Sequence, residues 1–234
     1  MDKQADVVRI FIGYDGREEA AFHVLQRSIH ERSSLPVAVT PLRLSQLAGV
    51  FTRERHPLQS TDFSFSRFLT PWLCNYAGWA IFMDCDMLMR ADIARLWALR
   101  DARYAAQVVK HQYQPKDDTK FLGAVQTKYE KKNWSSVIVF NCARCTALTP
   151  DYVNNATGLE LHQFKWLASD DLIGELPPAW NHLVGEYDRS PDASLVHYTL
   201  GGPYFTEYRD CEFAKEWFCE RDAVMTVVQR AALA

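Results

Sequence analysis

Apolar residues fall along the chain in short dense runs, and the spacing within them changes from run to run. Val7 to Ile12 (VVRIFI) is continuous and β-rich, the pattern of a buried strand. Gly13-Tyr14-Asp15-Gly16 breaks it. From Glu18 to Arg32, Ala21, Phe22, Leu25 and Ile29 recur at helical spacing, and Pro36 to Leu42 reads as a second strand. Leu47 to Ser64 has no period and is expected to be a loop. Ser66 to Tyr76 reads as a helix complicated by Pro71, and Trp79 to Met83 as a strand running straight into Asp84-Cys85-Asp86. Asp92 is placed to cap a short helix over Ile93 to Leu99, and Tyr104 to Val109 reads as a strand. His111 to Lys132 is polar and predicts a long surface excursion. Ser135 to Phe140 is a further buried strand, with helical patterns near Pro150 to Asn155 and Gly158 to Ala168. Ser194 to Tyr198 is a last short strand, and Glu212 to Val228 a C-terminal helix. The β–turn–α–β opening predicts an open α/β sheet with ligands near the carboxyl ends of its strands.

Length and composition narrow the class. The 234 residues, with no internal repeat or evident linker, predict one domain over 1–234. A net charge of −3 gives no general pull toward nucleic acid or an anionic membrane. Met1 to Val8 lacks the pattern of a signal peptide, and no apolar run reaches the length of a membrane span. The expectation is a cytoplasmic protein, with room for peripheral contact at the inner face of the membrane. Six cysteines include the pair Cys142 and Cys145. No second pair stands at zinc-site spacing, so the thiols read as reduced and mostly buried, with a redox CxxC as the weaker reading.

The sharpest chemical signal is Ile81-Phe82-Met83-Asp84-Cys85-Asp86. Alternate residues of an extended segment share a side, so Asp84 and Asp86 can reach one point. Two carboxylates there repel unless a cation or a proton lies between them, and a hard divalent ion suits oxygen ligands. The bland alternative is a pair of solvated turn aspartates. A dehalogenase-type phosphatase also carries DxD after a strand, but near the start of its domain; here two strands and two helices precede it.

The ordered blocks around this motif resemble the family 8 retaining glycosyltransferases, which include glycogenin and bacterial lipopolysaccharide galactosyltransferases. Phe11 to Asp15 is similar to the uridine-binding start, and Ser66-Arg67-Phe68-Leu69-Thr70-Pro71 to the YxRLxxP helix. Ile81 to Leu88 matches LYLDxDxL, and Ser135 to Asn141 resembles NSGVMLFN. Ser169-Asp170-Asp171 stands at DQD, Leu176-Pro177 through Trp180-Asn181 at LPxxxN, and His197-Tyr198 with Gly201-Gly202-Pro203 at HxxGxxKPW. The resemblance implies a GT-A fold, Rossmann-like, with a mainly parallel sheet flanked by helices. It implies Mn²⁺ or Mg²⁺ on Asp84, Asp86 and His197, a nucleotide-sugar donor of the UDP-sugar kind, and a carbohydrate or glycolipid acceptor in bacterial polysaccharide or lipopolysaccharide synthesis. Donor contacts are expected from Tyr14, Asp15, Arg67, Asp84, Cys85, Gly201 and Gly202, and catalytic contacts from Asp170 and Asp171, with a helix N-cap as the rival role for Asp170. His182, Glu186 and Asp188 are placed to face the acceptor. The family's closing lysine is absent, Trp134 and Ser136 replace the Asn and Gly of NSG, and the Gln of DQD is missing. Glycine N–H groups, Arg67, Lys131, Lys132 or Arg209 are then the candidate phosphate partners. A sugar nucleotidyltransferase and a non-catalytic binder on the same fold are the other classes, and the first would want a more basic, glycine-rich loop after the first strand.

Overall fold

The structure is a computed structural model that describes residues 6–55, 59–112 and 130–225. The opening unit follows the apolar pattern: β1 (Val8–Gly13), α1 (Glu19–Arg32) and β2 (Val37–Leu42). Gly13 is required where β1 ends, because a Cβ there would sit 2.3 Å from the Phe63 ring. The expected helix after Ser66 is shorter and split, a 3-10 turn over Ser66–Leu69 and then α2 (Thr70–Leu73). Pro71 has no N–H to continue a helical ladder, and the Thr70 hydroxyl donates to the Arg67 carbonyl at 2.8 Å instead. Asn75 and Tyr76 then adopt positive φ and end the segment.

β3 (Trp79–Met83) is central and almost wholly buried. It is followed by β4 (Met87–Met89), α3 (Ile93–Trp97) with Asp92 accepting from the Ala94 N–H as foreseen, and β5 (Ala106–Val108). Most of the polar excursion expected over His111 to Lys132 lies outside the described residues. β6 (Val137–Asn141), α4 (Pro150–Asn155) and α5 (Gly158–His162) come next, then β7 (Ile173–Glu175), β8 (His182–Leu183), β9 (Leu195–His197) and α6 (Ala214–Met225). The expected end of the last helix, beyond 225, also lies outside the described residues.

The strands form a six-stranded sheet in the order β2-β1-β3-β6-β5-β7 and a three-stranded sheet in the order β4-β9-β8. In the large sheet β6 runs antiparallel to both neighbours, and the other pairings are parallel. This is the mainly parallel sheet flanked by helices that the sequence predicts. The chain leaves β1 toward β2 on one side and returns to β3 on the other, so β1 and β3 bracket a topological switch point. Between β3 and β4 the chain passes from one sheet to the other, and Asp84-Cys85-Asp86 is that passage. No described helix is long and apolar enough to cross a membrane.

Candidate metal and donor site

The carboxyl edge of β3 delivers the acidic pair where the alternation rule requires. Asp84 and Asp86 share one side, and Cys85 points the other way, fully buried with its sulfur 3.9 Å from Glu18 Oε2. Burial, reinforced by the nearby Glu18 and the two aspartates, pushes the Cys85 thiol well above the ordinary range. The Cys85 side chain belongs to the core beneath the site, which leaves only its backbone for the donor contact expected of it.

Two backbone bonds fix the pair. The Asp84 N–H donates to Ser136 O at 2.9 Å, and the Asp86 carbonyl accepts from the Tyr198 N–H at 2.9 Å. The second bond extends the antiparallel pairing of β4 with β9, in which Met87 stands opposite His197. His197 Nε2 lies 3.4 Å from Asp86 Oδ2. Ligand atoms of Asp84, Asp86 and His197 all fall within 4.8 Å of one another, and all three residues are buried. Two carboxylates and an imidazole are a donor set for Mn²⁺ or Mg²⁺. The residues present fit such an ion, because their geometry brings atoms with lone pairs to one point inside the protein.

Arg67 stands behind this group. Its Nη1 lies 2.8 Å from Asp84 Oδ1 and donates to Ser135 O at 2.8 Å, while Nε donates to Ser64 O at 3.1 Å. The guanidinium also stacks over the Phe82 ring at 4.9 Å. The side chain expected to bind diphosphate is thus buried and committed to Asp84 and two carbonyls.

At the carboxyl end of β1, Asp15 is buried and multiply bonded. It accepts from the Arg17 N–H, Nε and Nη2 at 3.0, 2.9 and 2.5 Å and from the Asp62 N–H at 3.1 Å. Burial pushes its carboxyl up, but the Arg17 and backbone bonds outweigh this and hold it below the usual range. The base or ribose role expected of Asp15 meets a residue already closing the turn onto the 59–64 loop. Tyr14 is more available. It is half-buried, its hydroxyl donates to Glu19 at 2.8 Å and accepts from Arg43 at 2.9 Å, and the Arg43 guanidinium lies 4.0 Å above its ring.

Gly201 and Gly202 serve aromatic packing. A Cβ on Gly201 would lie 2.4 Å from the Tyr208 ring, and one on Gly202 2.3 Å from the Tyr204 ring. The Gly201 N–H, expected to contact phosphate, donates to Tyr198 O at 2.8 Å in this structure. Asp170 and Asp171 stay outside the Asp84–Asp86–His197 group. Asp170 is exposed, bonded to Lys131 Nζ at 2.6 Å, and that ammonium holds its carboxyl below the usual range. The capping side chain of this turn is Ser169, which accepts from the Asp171 N–H, so the N-cap expected at Asp170 falls one residue earlier. His182 packs edge-on against Phe213. Cys142 and Cys145 lie at the opposite end of β3, since Asn141 pairs with Trp79.

Two features escaped the sequence reading. Glu18 is buried at 1% exposure under the site and accepts from the Tyr204 hydroxyl at 2.6 Å. Its position at the start of α1 reads as ordinary helix surface. Asn181 was visible only as part of a motif; its contact with His197 is long-range and leaves no local signal.

With this geometry in view, comparison with known proteins places the chain. It is 50% identical over 223 residues to Protein CDI of Arabidopsis thaliana, a span of 92% of this chain and 86% of that protein. The chain belongs to the Protein CDI family. No protein-family model matches it. Solved structures share its fold at low identity. The bifunctional glycosyltransferase WbbM superposes with a TM-score of 0.57 at 15% identity over 94% of this chain. This chain spans 50% of the WbbM chain, half its length. The galactosyltransferase LgtC, solved with donor and acceptor sugar analogues, gives 0.56 at 12% identity and covers 95% of this chain and 98% of its own. The fold is that of GT-A glycosyltransferases.

Proposed function

We propose that this protein is a metal-dependent glycosyltransferase of the family 8 kind, moving a sugar from a nucleoside diphosphate, UDP by preference, to a hydroxyl of a carbohydrate or glycolipid acceptor. The observation that carries the reading is the buried Asp84, Asp86 and His197 donor group beside the switch point of a GT-A fold. In open α/β sheets that crevice is where ligands bind. A bound Mn²⁺ or Mg²⁺ supplies positive charge to the departing diphosphate.

The chain's own residues do the rest. Asp84, Asp86 and His197 would hold the ion. Arg67 fixes the Asp84 carboxylate and ties it to the Ser135 carbonyl, so the ligand does not reorganise when charge develops. Tyr14, at the edge of β1, offers a ring face to the base once Arg43 swings away or stacks beyond it. The reading assigns no covalent nucleophile. The acceptor oxygen attacks the anomeric carbon on the face the diphosphate leaves, which retains configuration, and the acceptor proton passes to the leaving oxygen.

The test is release of nucleoside diphosphate from a panel of nucleotide sugars with Mn²⁺, with and without candidate sugar acceptors. Metal-dependent release from one donor, lost in Asp84→Asn, supports the proposal. Binding of a nucleotide sugar with no release under any acceptor would make the protein a binder on this fold instead.

A further inference from the structure

The side chain that decides what His197 offers is Asn181. It is fully buried, and its Oδ1 lies 2.9 Å from His197 Nδ1. An amide can present either end, so the partner at its other end matters. That partner is the carbonyl oxygen of Asn133, which accepts from Asn181 Nδ2 at 3.2 Å. A carbonyl only accepts, so the nitrogen of Asn181 must face Asn133 and the oxygen must face His197. His197 Nδ1 then carries the proton and donates. In the neutral ring the lone pair is left on Nε2, the nitrogen 3.4 Å from Asp86 Oδ2.

The Asn133 carbonyl is itself held in place. Asn133 and Lys131 both adopt positive φ, of 60° and 61°, a conformation that costs energy in non-glycine residues. The Asn133 side chain donates to the Thr199 hydroxyl at 3.3 Å, two residues beyond His197. Lys131 Nζ donates to Gln163 O and Asp170 at 2.9 and 2.6 Å. The turn is thereby pinned on one side to Thr199, just beyond the strand that carries His197, and on the other to the acidic Asp170.

We infer that Asn181 is a positioning residue that locks His197 in the Nδ1–H tautomer and so keeps Nε2 as a ligand for a divalent cation, with the strained Lys131–Asn133 turn fixing the orientation of the Asn181 amide. The inference rests on the metal reading above but makes a separate claim, since the tautomer is a property of the metal-free protein. Partners of this kind behind a ligating histidine change metal affinity by about 10–100-fold when removed.

Two measurements test it. Nitrogen-15 NMR of the histidine rings in the metal-free protein reports which nitrogen of His197 bears the proton. The expected result is Nδ1–H; an Nε2–H tautomer overturns the inference whatever the variants do. Titration with Mn²⁺ alone, followed by electron paramagnetic resonance, then compares the wild type with Asn181→Leu and Asn181→Asp. Affinity is expected to fall by about 10–100-fold in Asn181→Leu and by less in Asn181→Asp, which keeps an acceptor opposite Nδ1 but loses the donor to the Asn133 carbonyl. A folded Asn181→Leu protein that binds Mn²⁺ like the wild type overturns the inference. A wild type that binds no Mn²⁺ while showing the Nδ1–H tautomer sinks the metal reading and leaves the tautomer assignment standing.

Discussion

Arg67 and Asp84 form the most consequential pair of side chains in the molecule. They lie 2.8 Å apart with side chains only 6% and 12% exposed, so neither charge is well solvated. Removing one partner of such a pair costs about 3–5 kcal/mol, because the other is left buried without compensation. Arg67→Ala is expected to lose stability of that order in urea unfolding with chelator present. A loss under about 1 kcal/mol, the value of an exposed pair, would contradict the account. Sequence reasoning found both residues but not their contact, which spans the fold. It assigned Arg67 to the ligand because a guanidinium fork suits phosphate equally well. Asp84 and Asp86 were legible for a stronger reason: strand alternation puts them on one side whatever surrounds them. The same rule turns the Cys85 side chain into the core.

At the scale of elements, long runs with a clear period were readable and most of the very short strands were not, β5 and β9 excepted. β1, α1, β2, β3 and β6 follow directly from their apolar spacing. β4, β7 and β8 are only 3, 3 and 2 residues long, too short to show any period. Yet β4 and β8 flank β9 and bring His197 and Asn181 together. The site's third ligand therefore depends on elements visible only in three dimensions. The β1 turn offers a test of how tightly this edge is built. Gly13→Ala would place a methyl group 2.3 Å from the Phe63 ring, and the 59–64 loop bonded to Asp15 would have to shift. Overpacking of this kind costs about 1–3 kcal/mol. A lowered melting temperature is expected, and an unchanged one would show that Phe63 moves freely.

For the whole molecule, buried histidines contribute to the response to acid. Burial, with the neighbouring His197 and His182, pushes His111 down to about 3, and burial lowers His182 as well. A histidine whose folded pKa lies below its unfolded value contributes stability that is complete above the unfolded pKa, near 6.5. That contribution is lost as pH falls toward the folded value. For His111 the window runs from about pH 6.5 down to about 3, with a slope of about 1.4 kcal/mol per pH unit for each proton taken up on unfolding. Chemical denaturation between pH 7 and 5 should show this decline, and His111→Gln should flatten it. Fold class was legible at this scale because the β–α–β opening and the ordered motifs agree. What the glycines after His197 do was not, because their neighbours Tyr204 and Tyr208 are contacts of the folded chain.

The central claim is that Asp84, Asp86 and His197 form a divalent-cation site serving a nucleotide donor. The most direct measurement is a calorimetric titration of nucleoside diphosphate into the wild type and into Asp86→Ala, each with Mn²⁺ and with chelator. The account predicts binding by the wild type that requires Mn²⁺ and is lost in Asp86→Ala. Binding of equal strength without metal, or undiminished in Asp86→Ala, would contradict it.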